Sequence, residues 1–171
     1  MKLGDGVDKV TRDLRKGVDR ADALIKEFME RHRSPFLSEF FDGITSLGSP
    51  VIVVLMIVVL WSTGEYLAAE TLLLGLLVSG LVVRISKKLN NRTRPAKHLN
   101  AVFSEKSFPS GHSTSAFMSA AVLNHFYNRP AAFFSLATTV AISRVYLEDH
   151  YFSDVLAGAL TGLIVSTTVL I

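Results

Sequence analysis

The sequence predicts an all-α protein: a polytopic membrane helical bundle of about five transmembrane helices plus an N-terminal amphipathic surface helix. Three observations predict it. Of the 171 residues 49% are hydrophobic and the mean hydropathy is +0.36, more apolar than an ordinary water-soluble domain. The apolar residues gather into runs close to the ~20 residues that cross a bilayer. Short polar breaks containing Gly, Pro, Ser and Asn separate the runs, with no strand-like alternation between them. The length fits a single domain. With no cysteine in the chain, disulfides and thiolate metal sites are excluded. The charged N-terminus shows no cleavable secretory signal. No stretch interleaves basic and aromatic residues as a nucleic-acid surface would, so no nucleic-acid partner is expected.

Two regions follow, an amphipathic interfacial helix with its elbow over 1–43 and a membrane-embedded region over 44–171. In the first, Val7, Val10, Leu14, Val18, Ala21, Ile25 and Phe28 recur at gaps of three and four, one apolar stripe on a helix whose other face is charged. Such a helix lies on a membrane or packs on the domain. Ser34-Pro35 interrupts it, and Phe36, Leu37, Phe40 and Phe41 form an aromatic elbow. The first span is expected over 44–62, with Pro50 tolerated near its start. The second is 66–85, with Glu70 close enough to its end to reach headgroups. A polar, basic connection over 86–110 leads to a short Ser- and Ala-rich span, 111–127, of the kind buried within a bundle. The fourth and fifth run over 131–147 and 152–171. Gly158 and Gly162, four apart in the last, let another helix approach closely and so allow a homo-oligomeric contact.

This order puts the N-terminal segment, the 86–110 connection and the 147–151 corner on one side of the membrane. Nearly all Lys and Arg fall there, against Arg129 in the loop opposite. The positive-inside rule then makes that side cytoplasmic in a multi-pass cell-membrane protein.

Ionisable residues at the ends of membrane helices are costly and so are candidates for function. Ser107-Phe108-Pro109-Ser110-Gly111-His112-Ser113 stops one element and opens a helix near His112. The free N–H groups at such a start suit an anion, most often phosphate. Lys87 and Arg94 lie seven apart upstream, with Pro95 closing the segment. Lys88, Arg92, Lys97 and Lys106 read as a basic loop anchoring the membrane edge. Arg144 ends an apolar helix, where a lone cation needs an anion or a carboxylate. His150 and Asp154 are four apart; on a helix they would share a face and hydrogen-bond. A carboxylate on one imidazole nitrogen fixes the tautomer and frees the other nitrogen as nucleophile or base.

In order, Lys87-(six residues)-Arg94-Pro95, Pro109-Ser110-Gly111-His112 and Ser143-Arg144-(five residues)-His150-(three residues)-Asp154 resemble the type 2 phosphatidic acid phosphatase family. Its superfamily includes vanadium-dependent haloperoxidases and glucose-6-phosphatase. The resemblance covers residues 87 to 158 and implies a membrane lipid phosphatase. It implies that His150 attacks phosphorus to form a phosphohistidine, oriented by Asp154. His112 would protonate the leaving oxygen and then activate water. Lys87, Arg94 and Arg144 would bind the phosphate oxygens, with Ser110 and the Gly111 N–H completing the cradle. The substrate would be a lipid phosphomonoester or a polyprenyl diphosphate, with no metal and no other cofactor. His32, His98 and His125 fit none of the motifs and read as structural or surface residues.

The family often has Gly-Val before the nucleophilic histidine and Pro two residues after it. Here Glu148, Asp149 and Phe152 occupy those positions. Two carboxylates beside a phosphate site would repel an anionic headgroup unless bases neutralise them. The same nucleophile would serve a lipid phosphotransferase. Vanadate haloperoxidase chemistry is disfavoured by the spans, and the non-enzymatic alternative is a protein whose basic loop grips anionic lipids.

Overall fold

The computed structural model describes residues 3–96 and 106–171. Among the described residues it contains seven α-helices and no strand: α1 (Leu3–Arg31), α2 (Pro35–Thr45), α3 (Pro50–Ser62), α4 (Tyr66–Leu89), α5 (Gly111–Tyr127), α6 (Pro130–Tyr146) and α7 (Phe152–Val169). The all-helical expectation is met, and the predicted boundaries of α5 are reproduced.

Helix α1 ends where Ser34 caps α2: its Oγ accepts from Leu37 N at 3.3 Å, and Pro35 occupies the first helical position, where its missing N–H costs nothing. Val7, Val10, Leu14 and Val18 of the α1 stripe are exposed. Ile25 and Met29 pack instead on Ala141, Val145 and Val155 of α6 and α7.

The first span departs from expectation. Residues 44–62 are not one helix: α2 runs on through Ile44 and Thr45, a 3-10 turn covers Ser46–Gly48, and α3 is a separate helix of 13 residues. The cause is Ser49-Pro50. Proline cannot continue a helix through its own position, while Ser49 caps the new one by accepting from Ile52 N at 3.3 Å. The two parts meet at 56°. By length and composition α4 and α7 are each able to cross a membrane, and the bent pair makes a third when counted as one span. Helices α5 and α6 have 17 residues each, about 26 Å. Five crossings remain an expectation of the sequence.

Helix α5 is the centre of the bundle. Its small residues Ser113, Thr114, Ser115, Ala116, Ser119 and Ala120 are all buried, and they let α7 come within backbone distance. A Cβ on Gly158 would lie 2.5 Å from the Ser110 carbonyl oxygen, and one on Gly162 would strike the Thr114 carbonyl and lie 2.8 Å from Met118 N. These glycines are therefore occupied within the chain by α5. They are not exposed for self-contact, which removes the sequence argument for a homo-oligomer. Val53, Ile57, Leu72, Met118, Val122 and Val165 form the largest apolar cluster. Leu77, Leu81, Leu156, Leu160 and Ile164 face outward, as a lipid-facing surface requires.

Gly162→Ala should destabilise the bundle by about 1–3 kcal/mol, because the obstructing atoms are backbone and cannot swing aside. Gly80→Ala, which meets nothing within 4 Å, is the control and should be neutral or slightly stabilising. Equal melting temperatures for the two variants in detergent would contradict this account of the α5–α7 contact.

Candidate active site

Helix α4 ends at Leu89, and Asn90 Oδ1 accepts from Arg92 N at 3.0 Å, turning the chain. Thr93 then bridges to Lys106, and Ser107 N donates to the Arg92 carbonyl at 2.7 Å. This pairing brings Ser107 beside the end of α4. Ser110 caps α5, its Oγ accepting from Ser113 N at 3.4 Å and from Ser113 Oγ at 3.0 Å. Across the bundle, the Arg144 carbonyl accepts from both Asp149 N and His150 N at 3.1 Å, which curls the chain leaving α6 back on itself. Within that curl Glu148 has φ +58, a left-handed conformation that costs a residue with a Cβ about 1–2 kcal/mol. Glycine, which the family often has here, would adopt it freely. Ser110 N donates to the Asp154 carbonyl at 3.0 Å, tying the starts of α5 and α7 together.

His150 and Asp154 are 2% and 0% exposed. They do not bond directly, as a shared helical face had suggested: His150 precedes α7, and its Nδ1 is 3.9 Å from Asp154 Oδ2. Ser107 stands between them. Its Oγ is 3.4 Å from His150 Nδ1 and donates to Asp154 Oδ2 in a very short hydrogen bond. Asp154 Oδ2 also accepts from Tyr151 N at 3.0 Å. Nδ1 thus faces the Ser107–Asp154 pair and Nε2 is left for chemistry. Burial first, then the charges of Arg144, Arg94 and Lys87, push His150 well below the ordinary histidine range, so its imidazole is neutral at physiological pH.

Lys87, Arg94 and Arg144 are charge neighbours of His112 as well as of His150, so the predicted residues converge at one end of the bundle. Arg144, 7% exposed, donates from Nη1 to Thr45 Oγ1 at 2.8 Å and pairs through Nη2 with Asp149 at 3.0 Å. Its Nε is buried without a hydrogen-bond partner among the described residues. Arg94 pairs with Asp149 at 3.5 Å. The two extra carboxylates are therefore neutralised: Asp149 by Arg94 and Arg144, Glu148 by Arg33 at 2.9 Å and Lys26 at 4.0 Å. A Cβ on Gly111 would make only ordinary contact, 3.8 Å from Val83.

Arg92 corrects the reading of the basic loop. It is no headgroup anchor: Nη1 reaches Asp154 Oδ1 at 2.8 Å and Nη2 reaches Asp22 Oδ2 at 2.6 Å. Lys88 is exposed, while Lys97 and His98 lie outside the described residues. His32 and His125 are exposed and away from the cluster. Sequence reasoning missed Ser107, Arg92 and Asp22. Asp22 did carry a signal, an acidic residue four after Val18 at the edge of the apolar stripe. Among the described residues no group of three or more His, Asp or Glu side chains is placed to hold a metal ion.

The family model for the PAP2 superfamily matches residues 68–171. The chain is 34% identical over 164 residues to phosphatidylglycerophosphatase B of Bacillus subtilis (strain 168), covering 86% of this chain and 80% of that protein. It is 34% identical over 109 residues to lipid A 1-phosphatase of Porphyromonas gingivalis, covering 61% of this chain and 23% of the relative. The crystal structure of a transmembrane PAP2-type phosphatidylglycerolphosphate phosphatase from Bacillus subtilis superposes with a TM-score of 0.81 at 29% identity, over 90% of this chain and 85% of the other. That of Aquifex aeolicus LpxE gives 0.76 at 28% identity, over 86% and 93%. The chain belongs to the PAP2 superfamily and is a membrane phosphatase that hydrolyses phosphate esters.

Proposed function

We propose that the protein hydrolyses a lipid phosphomonoester through a phosphohistidine on His150, with no metal or other cofactor. The observation that carries this reading is a neutral, buried His150 whose Nδ1 faces Ser107, itself held by Asp154, beneath three converging cations. Nε2 attacks phosphorus and the bond to the lipid oxygen breaks. His112, protonated once the substrate's negative charge offsets the surrounding cations, gives that oxygen its proton, and then takes one from the water that attacks the phosphohistidine, releasing inorganic phosphate and free His150. Lys87, Arg94 and Arg144 hold the equatorial oxygens as negative charge spreads over them. Arg144 Nε, without a hydrogen-bond partner among the described residues, is a donor for one of them. Ser110 and the Gly111 N–H complete the cradle at the start of α5. The named activities of the relatives favour a phosphorylated glycerolipid or glycolipid over a polyprenyl diphosphate. An apolar cavity of about 450 Å³ between α1, α5, α6 and α7, lined by Ile25, Phe28, Phe117, Val145, Phe152 and Val155, fits an acyl chain.

The exposed stripe of α1 fits a helix lying on the membrane surface, and the charged end of the bundle fits the cytoplasmic side. The absence of native cysteines makes this testable. A cysteine placed at Lys16 should react with a membrane-impermeant thiol reagent from the cytoplasmic side and one at Arg129 from the other. The reverse pattern would invert the orientation.

Phosphate release in detergent with a chelator, on phosphatidylglycerophosphate, phosphatidate and farnesyl diphosphate, tests the reaction. Wild type should turn over and His150→Ala should not, while Arg144→Lys should lose about 10²–10³ in kcat/KM. Labelled substrate should leave acid-labile phosphate on the wild type. Transfer of label to a second lipid without free phosphate would favour the phosphotransferase, and unchanged release by His150→Ala would defeat the mechanism.

A pH effect on stability follows from His150. Unfolded, it titrates near pH ~6.5, whereas in the folded protein it does so well below that. Between the two values the unfolded chain binds more protons. Its contribution to stability is therefore complete above about pH 6.5 and lost as the pH falls below it. The melting temperature should drop from about pH 7 to about pH 5, and His150→Gln should reduce the drop. An equal drop in the variant would show that other groups account for it.

A further inference from the structure

We propose that Arg92 and Asp22 are positioning residues for the reaction, and that α1 thereby belongs to the catalytic unit. This rests on His150 acting as the nucleophile. Arg92 touches both groups that stand behind His150. Its guanidinium bonds Asp154 Oδ1 at 2.8 Å, leaving Oδ2 for Ser107 and Tyr151 N, while its carbonyl takes the Ser107 N–H at 2.7 Å. Both groups that support His150 Nδ1 are thus tied to Arg92.

Arg92 is fixed in turn from α1. Its Nη2 bonds Asp22 Oδ2 at 2.6 Å, and Asp22 is 3% exposed. The Asp22 carboxylate also accepts from Ser153 N at 2.9 Å and from Ser153 Oγ at 2.6 Å, and Arg92 Nη1 donates to the same Ser153 Oγ at 2.6 Å. The guanidinium lies over the Tyr151 ring, 4.2 Å from its centroid, so it is held in plane and from one face. A planar fork that spans two carboxylates is what arginine provides and lysine does not. Charge balance demands the chain as well. Asp154 is fully buried with Arg92 as its ion-pair partner at hydrogen-bond distance, and a buried carboxylate left without a counter-charge is unstable. Their bonds run to Asp154, Ser107 and Ser153, behind His150, so their effect should fall on the chemical step.

The test compares Arg92→Lys, Asp22→Asn, Asp22→Ala, the double variant Arg92→Lys/Asp22→Ala and His150→Ala, with phosphatidate in detergent and melting temperatures alongside. Asp22→Asn is isosteric and keeps its hydrogen-bonding shape, so it carries the test if a more severe variant fails to fold. Arg92→Lys and Asp22→Ala should lower kcat by about 10–100-fold with KM within about twofold, and Asp22→Asn should lie between them and wild type. The double variant should lose no more than the worse single one, since both act through one chain of bonds. Unchanged kcat in folded variants, a rise in KM alone, or losses that multiply in the double variant would each overturn the proposal. If His150→Ala stays active, the underlying mechanism falls. If His150→Ala is inactive while the Asp22 and Arg92 variants match wild type, only this assignment falls.

Discussion

Everything at the reactive end of the molecule depends on how closely α7 approaches α5. With no Cβ at Gly158 and Gly162, the two backbones pack against each other near Ser110 and Thr114. That closeness lets Ser110 N donate to the Asp154 carbonyl, which fixes the first turn of one helix against the first turn of the other. His112 rides on the first of these turns and Asp154 on the second, with His150 four residues before it. The apolar cluster around Met118 and Leu72 then holds α3 and α4 against the same pair, and so sets where Lys87 leaves the bundle. Packing between small residues, more than hydrogen bonding, does most of this work, as expected where lipid removes the usual hydrophobic drive between helices.

Around that frame the charges alternate in sign. Arg94 and Arg144 share Asp149, Arg33 and Lys26 share Glu148, and Arg92 lies between Asp22 and Asp154. A cluster of like charges in so small a volume would strain the fold through mutual repulsion. The interleaved carboxylates relieve it before any phosphate arrives. Glu148 takes a left-handed backbone in the process, and its ion pairs with Lys26 of α1 and with Arg33 just beyond that helix offset part of that strain.

The sequence revealed most of the fold because long apolar runs and Pro or Gly breaks are local signals. The start of α5 at Gly111 and the stop at Ser34-Pro35 were legible from capping chemistry alone. The break at Ser49-Pro50 was visible too, but a proline near a helix start and a proline between two helices look alike until the neighbouring turn is known. The candidate site residues were legible for a different reason, their ordered spacing in three motifs. What was not legible was any contact between distant segments. Arg92 looked like one more base among Lys88, Lys97 and Lys106, because nothing in one dimension says that residue 22 and residue 154 flank it. Ser107 likewise gains its place between His150 and Asp154 only from the Thr93–Lys106 bridge.

Burial penalises charge on both members of the central pair, and only one of them has to carry it. For an imidazole that must offer a lone pair, desolvation and surrounding cations are an advantage, since both favour the neutral form. A carboxylate under the same burial is poorly solvated and needs donors and a counter-ion. Asp154 has them in Ser107, the Tyr151 N–H and Arg92, none of which pairs with His150 as an ion. The nucleophile candidate and its supporting carboxylate can thus sit 3.9 Å apart, both buried, with different requirements met. Interposing a serine hydroxyl separates the two environments in a way that a direct histidine–aspartate bond would not.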